Sequence, residues 1–525
     1  MSYSVSQQFS NILSTRCTAC LGQALIFPCW FARLTIAGFL EYRSCKGFPS
    51  ISDKLHAASA KDNYLGFGSI QGSQAKYSEP KVVKEWQLPS IVADRAAEKL
   101  NDSSYGLPRR FLPMGTATFL FVHFSTYRVA PKSFATIGLG PKALFLYSNP
   151  AFFCSWHPAK EAAPVIKTNG TFLQPVPTHV SYGKQYTGTA VYCNFDTPIG
   201  NDGSGGRLEI QVTHGTQDAS GLEDVNFVAK EEGAGEFNAS LYQEPYQYDH
   251  VYCGAPIYGS INAQRIREWI AYHVWFFGER THFYLYDAGG FDEQVRAVLQ
   301  PWVKLGVVII MNIRQEARFN SHYHNQFVIL NDCLFRAKSM AKWTWFFDVD
   351  EYIHRPAGSN LNEVIKRIET ENFWGKRLQR VSIKQMSMDY SHCLRGSQPN
   401  SNEWGISKMV YRKTDVGEYP DRKNFVLSDS CLATGPHEPM AMSMPPGANQ
   451  THHVTKWEGE LLQYYHFHGA IGKAEGEICV DLLDPDVNVT SFNNVTHQFD
   501  DALKSLVDDV MAFEHRMINQ ATHTS

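Results

Sequence analysis

Trp345-Phe346-Phe347-Asp348-Val349-Asp350-Glu351 is an apolar run that ends in two aspartates one residue apart. Side chains two apart in a strand point the same way. The two carboxylates can therefore face one ion if the strand end stays extended or bends slightly, with Val349 turned into the core. Oxygen-rich sites suit hard divalent cations, and such an ion held by one or two carboxylates shares its other positions with phosphate. An Asp-X-Asp triplet alone is a weak signal, because carboxylates also collect in turns and on solvated faces. Here the preceding aromatic stretch has the composition of a buried strand, and Glu351 adds a charge that packing does not call for. The stretch reads as a strand that delivers a metal to a diphosphate.

Strands and helices alternate upstream of it. Residues 251–259 open the region, and Ile266, Trp269, Ile270, Val274 and Phe277 recur at helical spacing behind Asn262 as a cap. A strand over 281–287 ends before Gly289 and Gly290, and Asp292 starts a helix carrying Val295, Val298, Leu299 and Trp302. Residues 307–311 form a β-branched strand and 321–340 another helix. This order predicts an α/β fold with a mainly parallel, Rossmann-like sheet. In such sheets ligands gather at the carboxyl ends of strands, where Asp287, Asp348 and Asp350 fall. Past Asp350 the pattern predicts a helix over 361–370, strands over 378–385 and 405–411, loops over 396–402 and 440–450, and a helix over 499–516.

Short apolar or alternating runs bounded by Gly, Pro and Asn precede this region. Candidate strands at 118–127, 143–147, 189–195 and 207–213 predict an all-β module, a small sandwich. The chain thus divides into a tail and stalk (1–110), a β module (111–247) and an α/β domain (248–525). Residues 21–40 are apolar over a length that could span a bilayer, but Pro28 and Arg33 interrupt them. Six Asn-X-Ser/Thr triplets begin at Asn101, Asn169, Asn238, Asn449, Asn488 and Asn494, and eleven cysteines show no zinc-finger spacing. Both features fit passage through the secretory system with lumenal disulfides, whose pairing the sequence leaves open. A formal charge of -4, with no dense basic patch, argues against a nucleic-acid ligand, while 33 Phe, 25 Tyr and 11 Trp offer apolar platforms for sugar rings as well as core.

Asp287 could hydrogen-bond a base or ribose, or simply end a strand. Asn325, Asn331 or Asp332, and Arg336 can share one broad helix face, which suits either sugar-nucleotide contacts or a buried polar network. In the aromatic segment 464–469, His466 and His468 lie on one side of an extended chain, and either could add a nitrogen ligand to an ion held by Asp350; His452 and His453 are a weaker pair. Direct transfer with inversion needs a base opposite the departing diphosphate. Asp429, Glu438 and Glu403 are the available carboxylates, and each could instead be a salt-bridged surface residue. Arg422 and Lys423 could bind phosphate or an anionic glycan.

Residues 253–259, 268–273, 283–290, 331–333, 345–352 and 465–468 together resemble glycosyltransferase family 92, and within it the plant β-1,4-galactan synthases. The module before them, through 124–128 and 135–139, resembles the amino-terminal carbohydrate-binding-like region of that group. The resemblance implies a GT-A fold, dependence on Mn2+ more than Mg2+, and inverting transfer of galactose from UDP-galactose to β-1,4-galactan of pectin. It also implies a Golgi membrane protein with a single type II anchor and a lumenal catalytic domain, able to form homodimers. Metal roles fall on Asp348, Asp350 and one of His466 and His468. UDP-arabinopyranose as donor, or an N-glycan as acceptor, would fit the family too, and a non-catalytic lectin could use the same β module. A glycosidase needs carboxylates on opposite sides of a bond, about 5 to 9.5 Å apart, which neighbours on one strand end do not provide.

Overall fold

The computed structural model describes residues 112–114, 119–142, 150–174, 186–214, 224–316, 323–355, 358–371, 378–396, 403–414, 422–443, 453–454, 461–484, 486–492 and 495–523. The apolar segment 21–40, the stalk, the strand expected at 143–147, His452 and the triplets at Asn101, Asn449 and Asn494 lie outside the described residues. Among the described residues no helix is long and apolar enough to cross a membrane.

Eight antiparallel strands form the β module: β1 (Leu112–Met114), β2 (Phe121–Ala130), β3 (Ser133–Pro141), β4 (Ala151–Pro158), β5 (Ile166–Leu173), β6 (Tyr186–Asn194), β7 (Gly206–Thr213) and β8 (Val225–Glu232). They pair in the order β1-β2-β3-β6-β5-β4-β7-β8 as one sheet that curls back on itself. Phe227 of β8 stacks on Phe121 of β2, with ring centroids 6.3 Å apart, and Arg128 of β2 pairs with Glu232 of β8 at 2.5 Å. Phe134, Phe152, Trp156 and Leu208 fill the enclosed space, and the disulfide Cys154–Cys193 ties β4 to β6 inside it.

The α/β domain begins with β9 (Tyr248–Cys253), α1 (Ala263–Phe277), β10 (Thr281–Asp287), α2 (Glu293–Lys304), β11 (Val308–Asn312), α3 (Gln326–Ala337), β12 (Ala341–Phe346) and β13 (Glu351–His354). It continues through α4 (Leu361–Glu371), β14 (Arg380–Asp389), β15 (His392–Leu394), α5 (Gly405–Lys408), β16 (Tyr411–Lys413), β17 (Arg422–Leu427), β18 (Cys431–Thr434) and β19 (Pro439–Met442). It ends with β20 (His453–Val454), β21 (Gln463–His466), β22 (Asp481–Leu483), β23 (Val489–Phe492), β24 (Val495–Phe499) and α6 (Val507–His523). Its main sheet runs β11-β10-β9-β12-β17-β14-β16-β24-β23, with β13, β20 and β21 joined off that path. The pairs β11-β10, β10-β9 and β9-β12 are parallel, while β17 is antiparallel to β12. This is a mixed Rossmann-like sheet of GT-A type behind an all-β domain.

Local chemistry sets the helix starts. The Asn262 side chain accepts from the backbone N–H groups of Gln264 and Arg265, and Asp292 accepts from that of Val295, so each satisfies donors that a first turn leaves open. The face of α3 carrying Leu330, Leu334 and Phe335 packs under Ile137 and Tyr192 of the β module, so the module and the α/β sheet share a core.

Three expectations change. Residues 405–411 do not run as a strand, because Trp404 is buried and the Gly405 N–H donates to Glu268 Oε2; a helical turn precedes the short β16. The last helix begins at Val507, since Val495–Phe499 pairs with β16 and β23. The described part of the 321–340 helix starts only at Gln326, because Tyr323, His324 and Asn325 take left-handed φ angles of 42°, 53° and 68°. Left-handed backbone is uncommon outside glycine, and three such residues in succession mark a constrained turn.

Candidate active site

The β-structure of β12 ends at Phe346, and the acidic pair follows in a turn closed by the Glu351 N–H donating to the Asp348 carbonyl at 3.1 Å. Bending, rather than a fully extended strand end, therefore presents the carboxylates. Three segments distant in sequence converge on that turn. β17 lies antiparallel to β12 and brings Lys423, whose Nζ is 2.7 Å from Asp348 Oδ2 and 3.4 Å from Glu351 Oε2. β21 pairs with β13 so that His466 stands opposite Glu351. β14 supplies Gln385, whose Oε1 lies 3.2 Å from His466 Nδ1.

His466 Nε2 is 3.7 Å from Asp350 Oδ1, and the other Asp350 oxygen accepts from the Gly469 N–H at 3.0 Å. Opposed by burial, the hydrogen bonds and charge of His466, the Gly469 N–H and Lys423 hold the Asp350 carboxyl below its usual range. Glu351 is fully enclosed, and burial pushes its carboxyl up to about 7 against the pull of Lys423. The Lys423 ammonium is held above its normal range by Asp348, Glu351 and Asp350 in spite of burial. Glu351 Oε1 and the Tyr252 hydroxyl are buried without a hydrogen-bond partner. Burial and the nearby charges of Asp348, Glu351 and Asp350 raise the Tyr252 phenol well above its ordinary value. The ring of Tyr252 needs the glycine two residues on, because a Cβ at Gly254 would lie 2.0 Å from the hydroxyl oxygen.

His468 is exposed and stacks on His466 with centroids 5.1 Å apart. Beside the acidic turn, Tyr258 from the loop after β9 sits 4.0 Å, ring to ring, from His324 of the left-handed turn. Tyr258 is 40% and Tyr323 58% exposed, and Asp348 is near enough to add to the upward shift of the Tyr258 phenol, which burial dominates. These aromatics escaped the sequence reading, as did Gln385. Their signals were a loop tyrosine and a polar strand residue, neither with a distinguishing spacing.

The residues read as nucleotide contacts occupy defined places. Asp287 is fully buried at the end of β10, where Oδ1 accepts from the N–H groups of Gly289 and Phe291 and Oδ2 pairs with Arg314 at 2.6 Å. Asn325 donates from its amide to the Glu316 carbonyl. Asp332 faces the β module: Oδ1 accepts from the hydroxyls of Ser125 and Tyr127, and Oδ2 from that of Tyr286 at 2.5 Å. Arg336 donates to the Tyr127 hydroxyl at 2.8 Å. Asp332 and Arg336 thus meet each other through Tyr127, not the acidic turn.

The three carboxylates read as a base also separate. Asp429 is exposed in the turn that follows β17, beyond the opposite end of that strand from Lys423. Glu438 is exposed in the β18–β19 turn, beside His437, whose Nδ1 lies 3.2 Å from the Arg422 carbonyl at the Lys423 end. Glu403 is exposed immediately before Trp404 and Gly405, near the buried Arg265–Glu268 pair.

A second group lies apart from these residues. Asp389, His392 and His497 are buried, with candidate ligand atoms all within 4.8 Å of one another, a His/Asp cluster consistent with a divalent-metal site.

A mixed α/β sheet whose fourth strand delivers an acidic turn beside a late histidine is the framework of a GT-A glycosyltransferase. Residues 248–509 match glycosyltransferase family 92, and the chain belongs to that family. It is 35% identical over 417 residues to galactan beta-1,4-galactosyltransferase GALS1 of Arabidopsis thaliana, covering 78% of each chain. It is 37% identical over 420 residues to GALS2 of the same plant, covering 78% of this chain and 76% of that one. With GALS3 the identity is 37% over 421 residues, 78% of this chain and 79% of the relative. The chain is an enzyme of the glycosyltransferase class.

Proposed function

We propose that the protein transfers galactose from UDP-galactose, with inversion, to β-1,4-galactan chains of pectin. The likeness to three galactan beta-1,4-galactosyltransferases over 78% of the chain carries this reading. The convergence of Asp348, Asp350, Glu351, Lys423 and His466 on one turn supports it.

Asp348, Asp350 and His466 would hold the divalent ion. Two carboxylate oxygens and an imidazole nitrogen suit Mn2+ better than Mg2+, which prefers oxygen alone. Glu351 Oε1, which faces His466 Nδ1 at 3.7 Å, and the Tyr252 hydroxyl are buried without a hydrogen bond and give that end of the sheet polar atoms still to be satisfied. The ion, when bound, neutralises charge on the diphosphate leaving group. Lys423 fixes Asp348 and adds positive charge; Gln385 orients the His466 ring; the Gly469 N–H fixes Asp350. Tyr258 and His324 offer stacking faces for the uracil. Of the exposed carboxylates, Glu438 is the favoured base, since its neighbour His437 meets the strand end that carries Lys423; Glu403 is second and Asp429 third. Asp287 would act on the nucleotide indirectly, by shaping the loop over Gly289, while Asp332, Asn325 and Arg336 would support the framework behind it.

The exposed rings of Phe153 and Phe172 give the β module apolar faces for a galactan acceptor. The further reading is a homodimer in the Golgi membrane, held by one type II anchor with the catalytic domain lumenal, and with no nucleic-acid partner. The three disulfides among the described residues, Cys154–Cys193, Cys253–Cys333 and Cys393–Cys479, fit an oxidising lumen.

The deciding measurement incubates the purified full chain with UDP-galactose and short β-1,4-galactans, with Mn2+ or with chelator. Extension is expected, to vanish on metal removal and to fall at least about 100-fold in Asp350→Ala. Glycan retention without turnover would instead make the protein a lectin, and preferred extension from UDP-arabinopyranose would move the donor assignment.

A further inference from the structure

The group Asp389, His392 and His497 is built from three separate strands, two of the main sheet and one of the small sheet beside it. Asp389 ends β14, His392 opens β15, and His497 is the middle residue of β24, which reaches β14 only through β16. All three are nearly inaccessible, at 6%, 3% and 2% exposure. Asp389 Oδ2 lies 2.9 Å from His392 Nδ1 and 2.8 Å from His497 Nε2, so two imidazole nitrogens crowd one carboxylate oxygen. Its other oxygen is taken by Ser391, through the backbone N–H and the hydroxyl. Neither ring nitrogen of His497 makes a hydrogen bond of acceptable geometry, although the ring is buried. The Asp389 carboxylate is all that faces His497 Nε2 and Nδ1 is buried without a hydrogen bond, while two imidazole nitrogens and one carboxylate oxygen converge within 4.8 Å, as the ligands of a common ion do.

We propose that Asp389, His392 and His497 bind a zinc-type divalent cation that fastens the carboxyl-terminal part of the chain to the catalytic sheet. Two imidazoles and one carboxylate form a set that Zn2+ accepts readily in four-coordinate geometry, with water completing it. The outer arrangement fits as well. His392 turns Nδ1 toward the cluster and Nε2 toward Asp481 Oδ2, 3.5 Å away, and a ligating histidine commonly gives its second nitrogen to a carboxylate. β15 pairs with β22, placing His392 opposite Asp481, and the disulfide Cys393–Cys479 joins β15 to the chain two residues before β22. The disulfide secures β15 to β22, and the cation secures both to β24. β24 leads into α6, whose Phe513 stacks on Trp302 of α2. A cross-link at His497 therefore holds the carboxyl-terminal strand and helix against the nucleotide-binding half. No ligand is shared with the acidic turn, so this site stands whether or not the galactosyltransfer reading does.

The test measures metal on the full chain, purified with no nucleotide sugar and no added metal, by mass spectrometry of the elements. About one zinc per chain is expected to survive gel filtration in the wild type and in Asp350→Ala, and to be lost in His497→Gln and His392→Gln. Because those variants could unfold, the Asp350→Ala chain is also stripped with a zinc chelator. Its unfolding midpoint is expected to fall by about 5 °C or more and to return with stoichiometric Zn2+ but not Mg2+. Loading with Co2+ is expected to give the visible bands of a four-coordinate ion. A chain that neither carries zinc nor responds to the chelator overturns the proposal, as does zinc that leaves with Asp350→Ala but stays in His497→Gln.

Discussion

Glu351 has its own pH signature because its carboxyl is enclosed beside Lys423 and two aspartates. Burial raises it from 4.5 in the unfolded chain to about 7 in the folded one. Between those values the unfolded state releases its proton first, so this group's contribution to stability declines as pH rises from about 4.5 and is fully lost above about 7. Glu351→Gln keeps the shape and removes the charge. In metal-free protein the variant is expected to gain on the wild type at pH 8 and to match it near pH 5, as read by urea unfolding. A constant difference at both pH values would mean that the side chain is not protonated in the folded state. The acidic half of this site was legible because Asp348 and Asp350 follow an aromatic strand directly. Lys423 was visible only as a candidate for phosphate or anionic glycan, and its pairing with Asp348 was not, since that depends on β17 lying against β12, a pairing across more than 70 residues that no local period encodes.

Helix α3 shows what elements add to residues. It is stitched to its surroundings by the Cys253–Cys333 disulfide, by Asn331 bonding to Thr434, by Lys338 donating to three carbonyls in 428–431, and by Asp332 taking hydroxyls from two strands of different sheets. Polar residues on an apolar helix allowed two readings from sequence, nucleotide contact or buried network, and only the docked β module distinguishes their surroundings. Asp332→Ala leaves the hydroxyls of Ser125, Tyr127 and Tyr286 without their acceptor and is expected to lower stability by about 3 kcal/mol, with KM for the donor little changed. A raised KM at unchanged urea midpoint would return Asp332 to the nucleotide site. Periodicity gave the parallel strands and α1 to α3 because each repeats over several turns or lies in a fully apolar run. It failed at 405–411, where one N–H bond to Glu268 outweighs the alternation, and at the start of α6, where strand pairing claims residues with helical patterning.

At the scale of the molecule, acid sensitivity follows from four buried histidines that the fold holds neutral. Burial lowers His123, His250 and His282 to about 4 and His273 to about 3. Hydrogen bonds fix the neutral form at two of them: Trp345 donates its indole N–H to His250 Nδ1, and the Ile353 N–H donates to His273 Nε2, so a proton at either nitrogen would displace a buried donor. Each is depressed below the unfolded value of 6.5, so its stabilising contribution is complete above that pH and is lost as pH falls toward 4, while the unfolded chain takes up protons. The loss approaches about 1.4 kcal/mol per pH unit for each histidine, and only Glu351 among the shifted carboxyls described above works against it over this range. The urea midpoint is therefore expected to drop steeply between pH 6.5 and 4.5. His282→Phe should flatten that slope by close to one proton, because His282 accepts no backbone donor and its ring already stacks on Tyr248, 5.1 Å between centroids. A midpoint that stays level over this interval would show that the interior admits charged imidazole, and with it enough water to change the electrostatics around the acidic turn.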